Sequence, residues 1–504
     1  MKLFLPALAL LLALQPAARA AAFQVFPDGP PPDGPVKAAL EVYQRGEFSE
    51  AILRFGIEAD RGDQTAQFAL ARIYQEGAGV AKSLPKAEEY YRKAAAQGHP
   101  SSQSNLALLL LNSQRAEEGI DWLRKAAKAK APRAMVLLGN LSLTGSGVTK
   151  NVADAKNWLE QAAALNDPEA FESLSLMYET GQGVEKNLAT SVDYLKKAAQ
   201  LDSLKALLRL AVKSLNGEGT PKDGKQAVEL LTRASTLGST DAQTALGSLF
   251  ETGEGVEKNP SQALAWYSKA SQGGDATAAL KLGVLYSEGN DPIEKDDKKA
   301  LECFQLSADR GQTVAMYNVG TYFEKGRGTD PNPTEALKWH LKSAIGGLGI
   351  AQREIGLRYR EGRGTPKDTV AALSWLNRSA TAGDATGALA LAEMLLSGEA
   401  GLPPDAKSAT AILTRAAELG LAPAQVRLAE LLSSNTSGRP DLIRAYALTM
   451  AAGKDFEPAT KLQAELEKKM SPQQLAEAKK EYERLKAKPP APAPAAVPAA
   501  PAAK

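Results

Sequence analysis

The sequence predicts an all-α fold, a solenoid of antiparallel helical hairpins repeating about every 36 residues. Three observations carry this. Small residues recur at Ala66, Ser102, Ala134, Ala170, Ala206, Ala242, Ala278, Ala315, Ala351, Gly387 and Ala424, almost always 36 or 37 apart. Apolar residues fall at helical spacing around each of them, as in Ala242-Gln-Thr-Ala-Leu246-Gly247-Ser-Leu249-Phe250. Glycines then punctuate each unit at two fixed places, dividing it into two helices. A hairpin this small cannot bury its own apolar face and must borrow its neighbour's.

The chain begins with Lys2, an apolar run from Leu3 to Leu14, and Ala18-Arg19-Ala20. That is the pattern of a secretory signal over residues 1–20, cleaved after Ala20. An apolar run of about a dozen residues is shorter than the roughly 20 needed to span a bilayer, so an exported, periplasmic protein is expected, not an integral membrane one. Residues 21–35 form a Pro/Gly-rich leader, and residues 36–63 an opening hairpin turning at Gly46-Glu-Phe-Ser-Glu-Ala51. The tandem array occupies 64–453 in about eleven units.

In each unit the first helix, helix A, carries the small residue. Gly247, Gly283, Gly320 and Gly356 stand at its midpoint, where glycine costs about 1 kcal/mol against alanine; a cost repeated in register implies close approach of the next helix. A turn with two glycines follows, as in Gly181-Gln-Gly183, Gly217-Glu-Gly219 and Gly253-Glu-Gly255. These turns end a helix and do not follow a strand, so they reverse the chain and are not phosphate loops. Ser83, Asn151, Asn187, Asp223, Asn259, Asn332 and Asp368 come four residues past the second glycine, as N-caps of helix B. All five tryptophans, Trp122, Trp158, Trp266, Trp339 and Trp375, share one register of helix B with Tyr90, Tyr194, Leu230, Cys303 and Ile412. That tolerance of volume predicts a core position. Helix B then ends at a C′ glycine such as Gly98, Gly238 or Gly347, with Asn166 and Asp202 as stand-ins.

The unit from Ser102 lacks the double glycine, and the loop Gly289-Asn-Asp-Pro-Ile-Glu-Lys-Asp-Asp lacks its second one. Residues 454–487 read as C-terminal capping helices, the second restarting at Ser471-Pro472-Gln-Gln474. Residues 488–504 are almost purely Pro and Ala and cannot build a core.

Charge narrows the function. The formal net charge is +2, and loss of Lys2 and Arg19 brings it to about zero. Basic and acidic residues alternate without a basic face, so no nucleic acid partner is expected. With His99 and His340 the only histidines and Cys303 the only cysteine, no metal site, cofactor or catalytic pairing is indicated and no enzyme activity is expected.

The pattern Ala-x3-Leu-Gly-x2-Tyr/Phe-x2-Gly-x-Gly-Val, then Asn or Asp, then Ala-x2-Trp-x2-Lys-Ala, is met nearly throughout by residues 242–274. It resembles the Sel-one-like repeat family, longer-looped relatives of tetratricopeptide repeats. The resemblance implies a right-handed superhelix used for protein–protein interaction, in adaptor or regulatory roles. By analogy with tetratricopeptide helices, positions two, three, six and nine after each small residue face its concave groove. They include Arg72, Glu172, Glu179, Arg209, Glu251, Lys281, Asn318, Glu324, Arg353, Arg360, Glu393 and Arg427. This mixed charge suits a protein or peptide partner. The alternative is a cell-envelope protein contacting peptidoglycan or exopolysaccharide.

Overall fold

A computed structural model of the chain describes residues 25–26, 32–113, 115–289, 291–399, 403–434 and 440–487. The signal segment, most of the leader and the Pro/Ala tail expected from sequence lie outside these residues. Every regular element among the described residues is a helix, and the chain divides into two units, one ending at Ser239 and one starting at Thr240.

The first unit opens with helices Gly34–Gln44 and Phe48–Asp60 and continues through five hairpins. Their A helices are Gln64–Glu76, Pro100–Asn112, Pro132–Thr144, Pro168–Thr180 and Leu204–Asn216; their B helices are Leu84–Ala96, Ala116–Lys128, Val152–Ala164, Leu188–Gln200 and Gly224–Thr236. Within this unit, each helix packs against its partner in the hairpin and against the adjacent helix of the neighbouring hairpin, which is the connectivity of a solenoid. Val25, in the segment read as leader, is 2% exposed, and Phe26 lies 6.0 Å from Phe68, so this part of the leader is anchored on the first repeats.

In the second unit the A helices are Thr240–Thr252, Ala276–Glu288, Thr313–Lys325, Gly349–Glu361, Ala385–Ser397 and Ala422–Ser433. The B helices are Pro260–Gln272, Asp297–Asp309, Pro333–Ile345, Thr369–Thr381, Ala406–Glu418 and Leu442–Ala452. Helices Glu457–Glu467 and Pro472–Ala487 close it, both lying against Leu442–Ala452.

Small residues set the packing distance. Ala66, Ala134, Ala170, Ala206, Ala242, Ala278, Ala315, Ala351 and Ala424 are all fully buried. A Cβ added at Gly247 would come 2.6 Å from the Tyr267 ring of the facing B helix, closer than any carbon contact allows. That is the close approach the repeated glycine predicts.

The tryptophans depart from expectation. All five are half-buried, as are Tyr90, Tyr194, Leu230, Cys303 and Ile412 at their register. The residue after each one fills the core: Tyr91, Leu123, Leu159, Leu195, Leu231, Tyr267, Phe304, His340, Leu376 and Leu413. One residue further along a helix is about 100° of rotation, which turns that side chain onto helix A. The tryptophan register instead leans toward the preceding hairpin: Trp122 packs on the cluster around Tyr91 and Leu110, and Trp339 on that around Phe304. A cation three residues on covers the outer ring face, Lys125 at 4.0 Å from Trp122 and Lys342 at 3.9 Å from Trp339. His340, simplest to read as a packing or surface residue, is 1% exposed in the core register.

The capping chemistry follows the sequence. Ser83, Asn151, Asn187, Asp223, Asn259, Asn332 and Asp368 each accept from backbone N–H groups in the first turn of helix B. Asp296 and Asp405 do the same after the irregular loops. Helix A has caps of its own, Asp63, His99, Asp167, Ser203, Asp275 and Asp384, at positions the sequence pattern did not draw attention to.

Candidate interaction surface

The A helices carry the charged residues that the sequence places in a groove. Within each unit these side chains do not converge on one point; most link one A helix to the next. In the first unit Glu172, 7% exposed, accepts from the Ser203 hydroxyl and from Lys205 at 2.9 Å. Glu179 accepts from Arg209 and from Lys213 at 3.0 Å. Burial pushes the Glu179 carboxyl up, but Lys213 and Arg209 together outweigh it and hold the pKa below the usual carboxylate value. Arg72 is half-buried on the first A helix of the array.

The second unit repeats the device. Glu251 accepts from the Tyr267 hydroxyl at 2.6 Å and from Lys281 at 3.1 Å. Glu324 accepts from Arg358 at 2.5 Å. Arg353 donates to both oxygens of Asp384 at 2.9 Å, and Arg360 to both oxygens of Glu399 at 2.6 and 3.0 Å. That hydrogen bond keeps the Glu399 carboxyl acidic. Arg427 pairs within its own helix, with Glu430 at 2.7 Å. Asn318 is half-buried and Glu393 exposed.

Two features escape the sequence reading. Lys213 and Arg358, 4% and 5% exposed, stand seven residues after the small residue, where other repeats bury Ile73, Met177, Leu249 or Met394. Their long stems fill the core position while their charges reach Glu179 and Glu324. Conversely, Leu176 and Val212 stand six residues after the small residue in consecutive A helices and are 51% and 54% exposed. That register carries Arg72, Asn140, Glu393 or Glu430 in some repeats and Leu108, Val284 or Leu357 in others, so the sequence alone does not single the pair out.

A buried glutamine directly after the small residue is a third feature visible only in three dimensions. Gln67, Gln103, Gln352 and Gln425 donate from Nε2 to Ala59, Ala95, Ala344 and Ala417 carbonyls at 3.0 to 3.1 Å. Each satisfies an end carbonyl of the preceding B helix and fastens one hairpin to the next.

The Sel1 repeat model matches residues 64–99, 100–130, 132–167, 172–203, 204–239, 240–275, 276–312, 313–348, 349–384 and 385–421. The chain belongs to the Sel1 repeat family. Members of this family generally mediate protein–protein interaction and are typically not enzymes. Among solved structures, a Sel1 repeat protein from Oxalobacter formigenes is 28% identical, over 61% of this chain and 90% of that one, with a TM-score of 0.52. The protective antigen c5321 of uropathogenic Escherichia coli, described as having an SLR fold, is 26% identical over 86% of this chain and 94% of its own, with a TM-score of 0.49. An uncharacterized protein of Neisseria meningitidis serogroup B, NMB1327, is 33% identical over 105 residues, 21% of this chain. The match spans about a fifth of that relative's length as well, 21%.

Among the described residues no cluster of three or more His, Cys, Asp or Glu side chains is placed to hold a metal ion. None of the described helices is long and apolar enough to cross a membrane. Cys303 is half-buried, and burial pushes its thiol up to about 11, which makes it a poor nucleophile.

Proposed function

We propose that this Sel1 repeat protein is an exported scaffold that captures a partner protein on the exposed face of its A helices. The pair Leu176 and Val212 supports this reading most directly. They occupy one register on successive helices and stand half in water, whereas the apolar residues at that register in other repeats, Leu108, Val284 and Leu357, are half-buried. Beside them the Glu179, Arg209 and Lys213 ladder holds the two helices in fixed relation. A rigid apolar spot framed by paired charges suits an apolar anchor on a polypeptide, with the charges setting its orientation. The charges alternate in sign, which favours a protein over a uniformly anionic polymer. The Lys2-to-Ala20 segment supports export, and with it an adaptor role in the cell envelope.

The test compares immobilised full-length protein with its Leu176→Glu/Val212→Glu variant in envelope extract. The wild type is expected to enrich a defined protein that the variant loses, with the two melting curves coinciding. Equal capture by both would remove the apolar pair from the interface. Co-sedimentation with purified cell wall, unaffected by the substitutions, would reassign the surface to an envelope polymer.

A further inference from the structure

A short stretch of chain ahead of the first helix is seated on the A helices. Val25 is 2% exposed and belongs to the core cluster built by the opening hairpin and helix Gln64–Glu76, with Val36, Val42, Tyr43 and Leu70. Phe26 packs against that cluster and also against the next one along, built around Tyr91, Leu106 and Leu110. Its ring lies 6.0 Å from Phe68, and Phe68 lies 4.8 Å from His99, the N-cap of helix Pro100–Asn112. Phe68 stands two residues after Ala66, a place in the repeat expected from sequence to face the groove. A segment that only closed the end of the array would touch the opening hairpin alone; this one runs along the stack, from one hairpin toward the next.

Neither residue is helical, and Pro27 biases Phe26 toward extended backbone. Among the described residues neither forms a hydrogen bond, so the two side chains hold the segment in place. Apolar contact of this kind is non-directional, and any polypeptide with the same pair of side chains can make it. Only residues 27–33 separate Phe26 from Gly34, where the first helix begins. A tether this short gives a local concentration on the order of millimolar. For an intrinsic affinity on the order of 100 µM, the seat is filled about nine-tenths of the time and a competing segment is weakened about tenfold.

We propose that the seat of Val25 and Phe26 is a peptide-binding site, occupied in the free protein by the chain's own leader, which takes from a partner an extended segment carrying a β-branched residue followed by an aromatic one. This rests on the reading of the A-helix face as a surface for polypeptides, and adds a second site at the first repeats. The leader is a competitor built into the chain: it covers an apolar surface until a partner displaces it.

Fluorescence anisotropy of a labelled synthetic peptide of residues 21–31, titrated with the full-length protein, tests this. Val25→Ser/Phe26→Ser is expected to bind the peptide about tenfold or more tightly than the wild type, and a peptide carrying the same two serines to bind neither. Insertion of about 20 Gly/Ser residues after Asp28 keeps both side chains and dilutes the tethered segment, so this variant is expected to bind the peptide about three- to fivefold more tightly than the wild type. If the serine variant melts early, the insertion variant alone decides. Leu176→Glu/Val212→Glu is expected to leave these affinities unchanged, so that failure of the apolar pair as an interface and failure of this site are read separately. No gain in the insertion variant, no binding by a serine variant that melts as the wild type does, or equal binding of the serine peptide would overturn the proposal and make the segment a fixed part of the fold.

Discussion

His340 shows how one residue can carry a condition-dependent cost. It fills the register that other repeats give to Tyr, Phe or Leu, its ring lies 5.0 Å from Tyr317, and its Nδ1 has no partner among the described residues. Burial first, then the Arg358 charge, hold its pKa below the ordinary 6.5, against the opposing pull of Glu324 and Glu354. The folded chain therefore keeps the imidazole neutral, while the unfolded chain takes up a proton as the pH falls through about 6.5. This contribution is complete above that pH and is lost on acidification. His340→Phe is expected to flatten the fall in melting temperature between about pH 7.5 and 5.5 relative to the wild type; parallel curves would contradict it. Lys213 gives a second prediction at this scale. Its register holds methionine at Met177 and Met394, so Lys213→Met is expected to lie within about 1 kcal/mol of the wild type or above it in denaturant unfolding. A loss beyond about 3 kcal/mol would show that the buried charge itself stabilises the fold. Neither residue's role was legible in sequence, because a histidine reads as either a packing or a surface residue, and a lysine as a surface one, until the helix faces are known. Tyr267 and Trp266 make the same point in reverse. The aromatic register was evident, but which of two adjacent residues faces helix A depends on helix phase. Tyr267→Ala is expected to cost about 3–5 kcal/mol, and Trp266→Ala about 1–2 kcal/mol as a half-buried side chain. Equal costs would contradict the assignment.

At the scale of elements, nearly all of the hairpin was written in the sequence: the small residue of helix A, the N-cap of helix B and the C′ glycine that ends it. These signals are local, so they survive without knowledge of the neighbours. Gly98, Gly238 and Gly347 adopt φ of +93°, +89° and +95°, and Asn166 and Asp202 stand in at +58° and +59°. Contacts between hairpins were not legible. The second turn glycine is the example: Gly183 has φ +73°, and a Cβ there would collide with Val152 at the start of the preceding B helix. Gly364 has the same backbone conformation, +71°, with open space around it. Gly364→Ala is expected to cost only the left-handed strain of about 1–2 kcal/mol, and Gly183→Ala about 1–3 kcal/mol more through displacement of the neighbouring hairpin. Chemical denaturation of the two variants checks this, and equal losses would mean that the turn glycines only reverse the chain. The charged residues proposed for the interaction surface illustrate the same boundary. Their register was legible, but Arg353 and Arg360 are engaged with Asp384 and Glu399 of the next repeat, so reversing their charges would strain the stack as well as any interface.

At the scale of the whole molecule, stability accumulates from hairpin interfaces, through the glutamine fasteners, the ion pairs between A helices and the half-buried tryptophan register. A surface read by a partner is rigid only if those interfaces hold its helices in register. Cavity formation at one core position should then weaken a neighbourhood of the array, not one helix alone and not all of it. The most direct test is hydrogen exchange by mass spectrometry on the wild type and Phe304→Ala. Phe304 is 2% exposed in the second hairpin of the second unit and faces Gly283. Protection is expected to fall most in residues 276–309, by an amount corresponding to about 3–5 kcal/mol. It should fall less in the flanking hairpins 240–272 and 313–345, and change little around the terminal helices. Loss confined to helix Asp297–Asp309, or spread evenly through the chain, would contradict an array held together by its neighbours.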